Sequence, residues 1–231
     1  LLAVLLASQA QAAGEFDLLG QMENVRSENT IQAGGRALWT LPFETTQYLP
    51  AQPTPTMRAA LAAQQAGRFL EAISLLEQSA EEAALPDTQL LRAGFYLQGE
   101  QSGQARDILA GLLQQHPQLA EAHALMAMAQ LQQGQIGSAL DSVRKAQKFG
   151  NSPLVSRVAS YVLQAHGSLD EAMQALVALN GEGHADPLSL AREAELALSL
   201  GDEQQAAKRA AEARKLAPDS PYVMAVSGLV W

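Results

Sequence analysis

Residues 67–72 read Gly-Arg-Phe-Leu-Glu-Ala, and residues 167–172 read Gly-Ser-Leu-Asp-Glu-Ala. The alanine that closes each segment is part of a column that recurs along the chain with a nearly constant spacing. A fixed period of this kind is typical of proteins built from stacked helical units. The column consists of Ala72, Ala105, Ala139, Ala172 and Ala206.

Further columns keep the same register on either side of these alanines. Twelve places earlier stand small residues, which allow two helices to approach closely: Ala60, Ala93, Ala127, Ser160 and Ala194. Nineteen places earlier, the first turn of a helix is predicted, where proline needs no N–H; four of the five positions are proline, at Pro53, Pro86, Pro153 and Pro187, with Ala120 as the exception. Five places earlier, glycine suits a turn with positive φ, and the residues are Gly67, Glu100, Gly134, Gly167 and Gly201. Because Glu100 replaces glycine and Gly99 precedes it, we expect a remodelled turn in the second unit.

The columns together resemble the tetratricopeptide repeat, a helix-turn-helix unit of roughly 34 residues. The resemblance covers residues 53–231 and implies an all-α, right-handed α-solenoid of about five tandem repeats plus the first helix of a sixth. The repeats are predicted to start near 53, 86, 120, 153, 187 and 221. Repeat position 4, which is large in the family, departs from its pattern in most units, with Thr56, Gln89, His123, Ser156 and Leu190.

Composition agrees with a helical scaffold and disfavours several kinds of partner. Hydrophobic residues make up 48% of the chain and aromatic residues only 5%, so the apolar content is mostly alanine and leucine, which favour helices. The net charge of -9 repels nucleic acid and anionic lipid. Basic residues do cluster, but late in predicted helices, where they complement the helix dipole: Arg144, Lys145 and Lys148, then Lys208, Arg209, Arg214 and Lys215.

The start of the chain predicts export. Residues 1–7 are apolar and precede the small-residue pattern Ala10-Gln11-Ala12, as in a secretory signal peptide cut after Ala12. Residues 1–12 are therefore interpreted as the remnant of a signal peptide, and the mature protein is expected in the periplasm of a Gram-negative bacterium. The alternative is a truncated core helix. No later segment approaches a membrane span of about 20 apolar residues.

Residues 13–52 lack helical periodicity and contain several prolines and glycines. We expect an extended lead-in that packs on the first repeat as an N-terminal cap or forms a short hairpin about Gly34-Gly35; a binding strand is the alternative. The residues that favour packing are Trp39, Leu41, Phe43, Tyr48 and Leu49.

No motif in the chain predicts catalysis, a cofactor or a metal site. There is no cysteine, which excludes disulfides and thiolate zinc sites. His116 and His123 are separated by Pro117 and have no metal-ligand spacing. Gly181-Glu-Gly183 follows a predicted helix instead of the strand that a dinucleotide fingerprint requires, and the acid pairs Asp170-Glu171 and Asp202-Glu203 are interpreted as helix caps. We expect a protein that is not an enzyme.

The family resemblance implies a concave groove, lined by the first helices, that contacts ligands through repeat positions 5, 9 and 12. The alternative is that these side chains contact the neighbouring first helix instead. A clamp for a C-terminal carboxylate needs several basic residues in the groove, and only Arg157 is present. The positions are Met57, Leu61, Gln64, Leu90, Gly94, Leu97, Ala124, Met128, Leu131, Arg157, Tyr161, Gln164, Ala191, Glu195 and Leu198.

The resulting expectation is a scaffold that binds a partner protein or peptide, in a cell-envelope assembly, export or secretion system. The alternative is an accessory module of a longer protein whose activity lies in a barrel or enzyme domain beyond Trp231. A sixth repeat is predicted to begin at Pro221 and to be incomplete at Trp231, in an apolar helix that either continues into further repeats or pairs with a second chain.

Overall fold

The structure is a computed structural model that describes residues 53–180 and 186–230. These residues form twelve α-helices in tandem and no strand. The predicted signal remnant, the lead-in, the Gly181-Glu-Gly183 loop and Trp231 lie outside the described residues. The helices are α1 (Pro55–Gln65), α2 (Phe69–Glu77), α3 (Ala80–Ala83), α4 (Pro86–Gln98), α5 (Ser102–Gln115), α6 (Ala120–Gln132), α7 (Ile136–Phe149), α8 (Pro153–His166), α9 (Leu169–Asn180), α10 (Pro187–Ser199), α11 (Glu203–Leu216) and α12 (Pro221–Val230).

The described residues divide into two compact units, 53–158 and 159–230, which we call the first and the second unit. In the first unit α1 packs on α2, α4 on α5 and α6 on α7, and α4 also contacts α6. In the second unit α10 packs on α9, α11 and α12. Each unit therefore consists of antiparallel helix pairs in which a first helix contacts its own second helix and the first helix of the next repeat.

Both columns of small residues are completely buried. Each alanine of the recurring column has no exposed surface, and neither do Ala60, Ala93, Ala127, Ser160 and Ala194 twelve places earlier. Four residues after the column alanines, Leu76, Leu109, Val143 and Leu176 are buried on the same helical face. These positions form the seam between helices, where a larger side chain would force the helices apart.

The expectation of a remodelled second turn is wrong. Glu100 adopts φ 56°, within the left-handed range of Gly134 at 73° and of the other three turn glycines. The hydrogen bonds also match: Gln101 N donates to Tyr96 O at 2.8 Å, as Gln135 N donates to Gln130 O at 2.9 Å. Packing of the helix pair thus imposes the same six-residue closure on every turn, and Glu100 accepts a backbone conformation that glycine adopts more easily.

The first repeat differs from the prediction in two ways. Its first helix begins at Pro55 and not at Pro53, because the Thr54 hydroxyl accepts a hydrogen bond from Met57 N at 3.1 Å and caps the helix. Its second helix is interrupted after Glu77, and the Ser79 hydroxyl accepts from Glu82 N at 3.3 Å to start the short α3. At the other five predicted starts, residues 86, 120, 153, 187 and 221 are the first residue of a helix.

Candidate functional site

The structure buries most of the predicted groove. Three of the fifteen residues are partly exposed: Gln64, Gln164 and Leu198. The other twelve are buried: Met57, Leu61, Leu90, Gly94, Leu97, Ala124, Met128, Leu131, Arg157, Tyr161, Ala191 and Glu195. Ligand contact by these residues stays a prediction, and the accessible part of the set is small.

The predicted apolar centre of the groove shows why most of these residues are buried. Met128 has no exposed surface, and Leu131 is only 6% exposed. The completely buried Ala93 and Ala127 lie in the column where helices approach closely, and close helices cover the side chains between them. Repeat register predicts the face on which a residue lies, but it does not predict how much of that face the adjacent helix covers.

Polar side chains form a row at the C-terminal ends of the first helices in the first unit. Gln64 Nε2 of α1 donates to Gln98 Oε1 of α4 at 2.7 Å. Gln132 Nε2 of α6 donates to the main-chain oxygen of Leu97 at 2.9 Å. We call Gln64, Gln98 and Gln132 the amide row, since it links three successive first helices by side-chain amides.

One acceptor of the amide row lacks a hydrogen bond. The Oε1 atom of Gln132 is shielded from solvent and has no partner in the described part of the chain. A buried polar atom without a partner costs about 1–3 kcal/mol. The Gln132 side chain is half-buried, so its amide would meet a main-chain N–H of an extended peptide after turning toward the surface. Side-chain amides both donate to and accept from peptide main chains.

Sequence reasoning found only part of this row. Gln64 is among the predicted groove residues, whereas Gln98 and Gln132 each follow a predicted residue by one position. The available signal was the recurrence of glutamine at the end of the first helices, where Gln98 and Gln132 occupy the same position of successive repeats.

The second unit contains a buried network around Arg192 of α10. Arg192 Nε donates to Ser160 Oγ at 3.0 Å, NH1 donates to Glu195 Oε2 at 3.0 Å, and NH2 donates to Gln164 Oε1. The guanidinium also lies over the ring of Tyr161, with its central carbon 3.8 Å from the ring centroid. The guanidinium of Arg192 thus donates hydrogen bonds in its plane while its face stacks on the Tyr161 ring.

Tyr222 of α12 closes the network. Its hydroxyl donates to Glu195 Oε2 at 2.7 Å and lies 3.1 Å from the hydroxyl of Tyr161. Burial, followed by the negative charge of Glu195, raises the pKa of Tyr222 well above its ordinary value, and the positive charge of Arg192 opposes that rise. The phenol therefore stays protonated and able to donate. We call this network, which also joins three first helices, the polar cluster: Ser160, Tyr161, Gln164, Arg192, Glu195 and Tyr222.

The structure brings together three predicted groove residues in this cluster, Tyr161, Gln164 and Glu195. Sequence reasoning missed Arg192 and Tyr222. Arg192 directly follows the predicted Ala191, and its charge within a helix of mostly alanine and leucine was the available signal. The cluster is nearly inaccessible, with Arg192 and Ser160 at 0% exposure, so it acts on packing and not on a ligand in this conformation.

The remaining polar motifs have local roles. Asp202 caps α11 by accepting from Gln205 N at 2.9 Å, as predicted from the acid pair. Arg209, predicted to serve the helix dipole, instead forms ion pairs with Glu193 at 2.7 Å and Glu212 at 2.7 Å. Among residues 53–180 and 186–230, no three histidine or acidic side chains are grouped as metal ligands would be. In the same ranges, every helix is too short or too polar to cross a membrane.

Comparison with known proteins agrees with the helical-repeat fold. Residues 63–129 match the family model of the tetratricopeptide repeat. A thermophilic TPR protein of Thermus thermophilus, TTC0263, superimposes with a TM-score of 0.66 at 20% identity, over 76% of this chain and 96% of that protein. YrrB, described as a TPR protein with an unusual peptide-binding site, aligns with a TM-score of 0.46 at 14% identity, over 79% of this chain and 97% of YrrB. No curated protein sequence matches this chain significantly.

Proposed function

We propose that this chain, in which residues 63–129 match the family model of the tetratricopeptide repeat, is a non-catalytic scaffold that binds a segment of another protein along the first helices of its first unit. The amide row is the observation that carries this proposal. It offers polar groups at the ends of three successive helices, and one of its acceptors has no partner among the described residues. An extended peptide that crosses the row carries main-chain N–H groups that can donate to this acceptor and C=O groups that can accept from side-chain amides.

The mode of binding follows from the chemistry of the row. Main-chain hydrogen bonds give affinity for an extended segment but little preference for its side chains. Specificity then depends on partly exposed side chains that lie close to the row. The buried Met128 and Leu131 pack α6 into the first unit.

The test compares two variants of the purified chain as bait in an envelope extract, with the captured proteins identified by mass spectrometry. The double variant Gln98→Ala, Gln132→Ala removes two members of the amide row. The control Gln114→Ala changes an exposed glutamine of α5. Circular dichroism and thermal melting of both variants show whether the fold is retained.

We expect a partner that is retained by the wild type and the control and lost by the folded double variant. With the purified partner, the double variant should bind about tenfold or more weakly, since each lost hydrogen bond contributes about 0.5–1.5 kcal/mol. Equal capture by all three chains would exclude the amide row as the binding site. Failure of every chain to capture a partner would favour an accessory role within a longer protein.

We also propose that the protein acts in the cell envelope, in the periplasm, as part of an assembly, export or secretion system. The apolar residues 1–7 and the Ala10-Gln11-Ala12 pattern support this proposal. Fractionation of the natural host, with detection by an antibody against residues 53–230, tests it. Recovery in the periplasmic fraction is the expected result, and recovery with the cytoplasm would contradict it.

A further inference from the structure

Phe149, at the end of α7, is an aromatic residue on the outer surface of the first unit. Its ring stacks on the imidazole of His123, with 5.6 Å between the ring centroids and 26° between the planes. His123 is held in turn, because its Nε2 lies 2.9 Å from the main-chain oxygen of Pro117. Phe149 keeps 38% of its surface exposed, so the structure displays a fixed aromatic edge to a partner.

Two lysines lie on the same helix as this ring, in a protein whose net charge is -9. The Lys148 ammonium lies 5.7 Å from the centroid of the Phe149 ring, and Lys145 is one turn earlier on the same exposed face of α7. Neither lysine forms an ion pair within residues 53–180 and 186–230. Arg144 and Asp141 approach within 3.5 Å, but both are 69% exposed, and such surface pairs are weak.

We propose that Lys145, Lys148 and Phe149, the basic aromatic patch, form a second docking surface that binds an acidic protein segment carrying a large aliphatic side chain. The two ammonium groups complement carboxylates of the partner, and the nearby acid of α7, Asp141, already approaches Arg144. The aliphatic side chain packs on the exposed edge of Phe149. Since His123 already holds the ring, binding orders little of this surface, which favours an aromatic anchor.

Protein is the partner class that these contacts favour over nucleic acid. His123 stacks on the Phe149 ring and the Lys148 ammonium lies 5.7 Å from its centroid, so a base could stack on this ring only by displacing one of these neighbours. The overall negative charge also repels large polyanions, such as a nucleic acid or an anionic membrane surface. A short acidic segment contacts only the local patch and avoids most of this repulsion.

The patch is independent of the amide row, because it lies on a second helix, whereas the row lies at the ends of first helices. The fifth repeat provides a matched control. Lys215 and Leu216 follow Ala206 by the same number of positions by which Lys148 and Phe149 follow Ala139. Lys208 and Lys215 of α11 are exposed, but the described residues hold no aromatic ring beside them.

The test measures fluorescence anisotropy of a labelled glutamate-rich peptide with interspersed leucines, at physiological salt. The variants are Lys145→Gln, Lys148→Gln and, as the control with an equal change of charge, Lys208→Gln, Lys215→Gln. We expect the first double variant to bind about tenfold more weakly and the second to stay within about twofold of the wild type. Circular dichroism verifies that both remain folded.

A second arm tests the aromatic contact with Phe149→Ala, or with Phe149→Leu if the alanine variant unfolds. The Phe149 variant should bind the leucine-containing peptide several-fold more weakly than the wild type does. For a peptide with serine at the leucine positions the difference should be much smaller, because the substitution in the protein and the substitution in the peptide remove the same contact. The proposal is overturned if both lysine pairs weaken binding equally, if the acidic peptide does not bind, or if duplex DNA or anionic vesicles of phosphatidylglycerol bind more tightly than the peptide.

Discussion

The central carbon of the Arg192 guanidinium lies 3.8 Å from the centroid of the Tyr161 ring, and Glu195 accepts from the same guanidinium at 3.0 Å. Arg192 and Tyr161 belong to the first helices of successive repeats. Their stacking places a paired charge in the interior of the second unit. Buried pairs of this kind tolerate removal of both partners far better than removal of one.

We therefore expect Arg192→Met to lower the free energy of unfolding by about 3–5 kcal/mol, because it leaves the Glu195 carboxylate buried without its cation. The double variant Arg192→Met, Glu195→Leu should recover a substantial part of that loss. Urea unfolding followed by circular dichroism measures both. A single variant within about 0.5 kcal/mol of the wild type would show that the cluster does not stabilise the second unit.

Tyr222→Phe should lower the free energy of unfolding by about 1.5–3 kcal/mol at neutral pH, because it removes the hydroxyl that donates to the charged Glu195. The substitution keeps the ring and its packing with α10. Tyr96→Phe, on the partly exposed surface of α4, serves as the control and should change stability little. A loss of the same size in the control would assign the effect to tyrosine removal in general.

The raised pKa of Tyr222 also predicts an alkaline limit to stability. In the unfolded chain the phenol loses its proton near pH 10, whereas the folded chain still binds it. The stabilisation is therefore complete below about pH 10 and is lost as the pH rises from there toward the folded pKa. Unfolding measured at successive alkaline pH values should show a steeper decline for the wild type than for Tyr222→Phe, and parallel curves would contradict the linkage.

Glu100→Gly should stabilise the protein by about 0.5–1 kcal/mol. Glu100 has φ 56° in a turn where the other repeats have glycine, and a side chain in this region costs about 1–2 kcal/mol, partly offset by the greater freedom of glycine in the unfolded chain. The converse change Gly134→Glu should destabilise by a similar amount. Thermal melting of both variants tests this prediction. A lower melting temperature for Glu100→Gly would show that the Glu100 side chain has a stabilising contact of its own.

Much of the fold could be predicted from short-range patterns. Small residues such as Ala139 mark the seam between helices, and residues such as Gly134 mark the turns, because steric size and backbone freedom are properties of single positions. The same reasoning was wrong for Glu100. Residue preference there is overridden by the packing of α4 against α5, which requires the left-handed turn whichever residue is present.

The candidate sites could be predicted only in part. Register placed Gln64, Tyr161 and Glu195 on the first helices, but not their partners. Gln98 and Arg192 had a local signal, but their partners become recognisable only when helices from different repeats are adjacent, since the residues that they bind belong to other repeats. No local pattern connects residues so far apart in the chain.

The sequence by itself determined the repeat, its helix pairs and the four turns that contain glycine, because each depends on interactions within a single repeat unit. The tertiary structure alone decided which side chains are accessible and paired. It buried Met128, paired Arg192 with Glu195, left the buried Gln132 acceptor without a partner among the described residues, and kept Phe149 partly exposed. Accessibility depends on how closely neighbouring helices approach, and that distance is a property of the packed helices together.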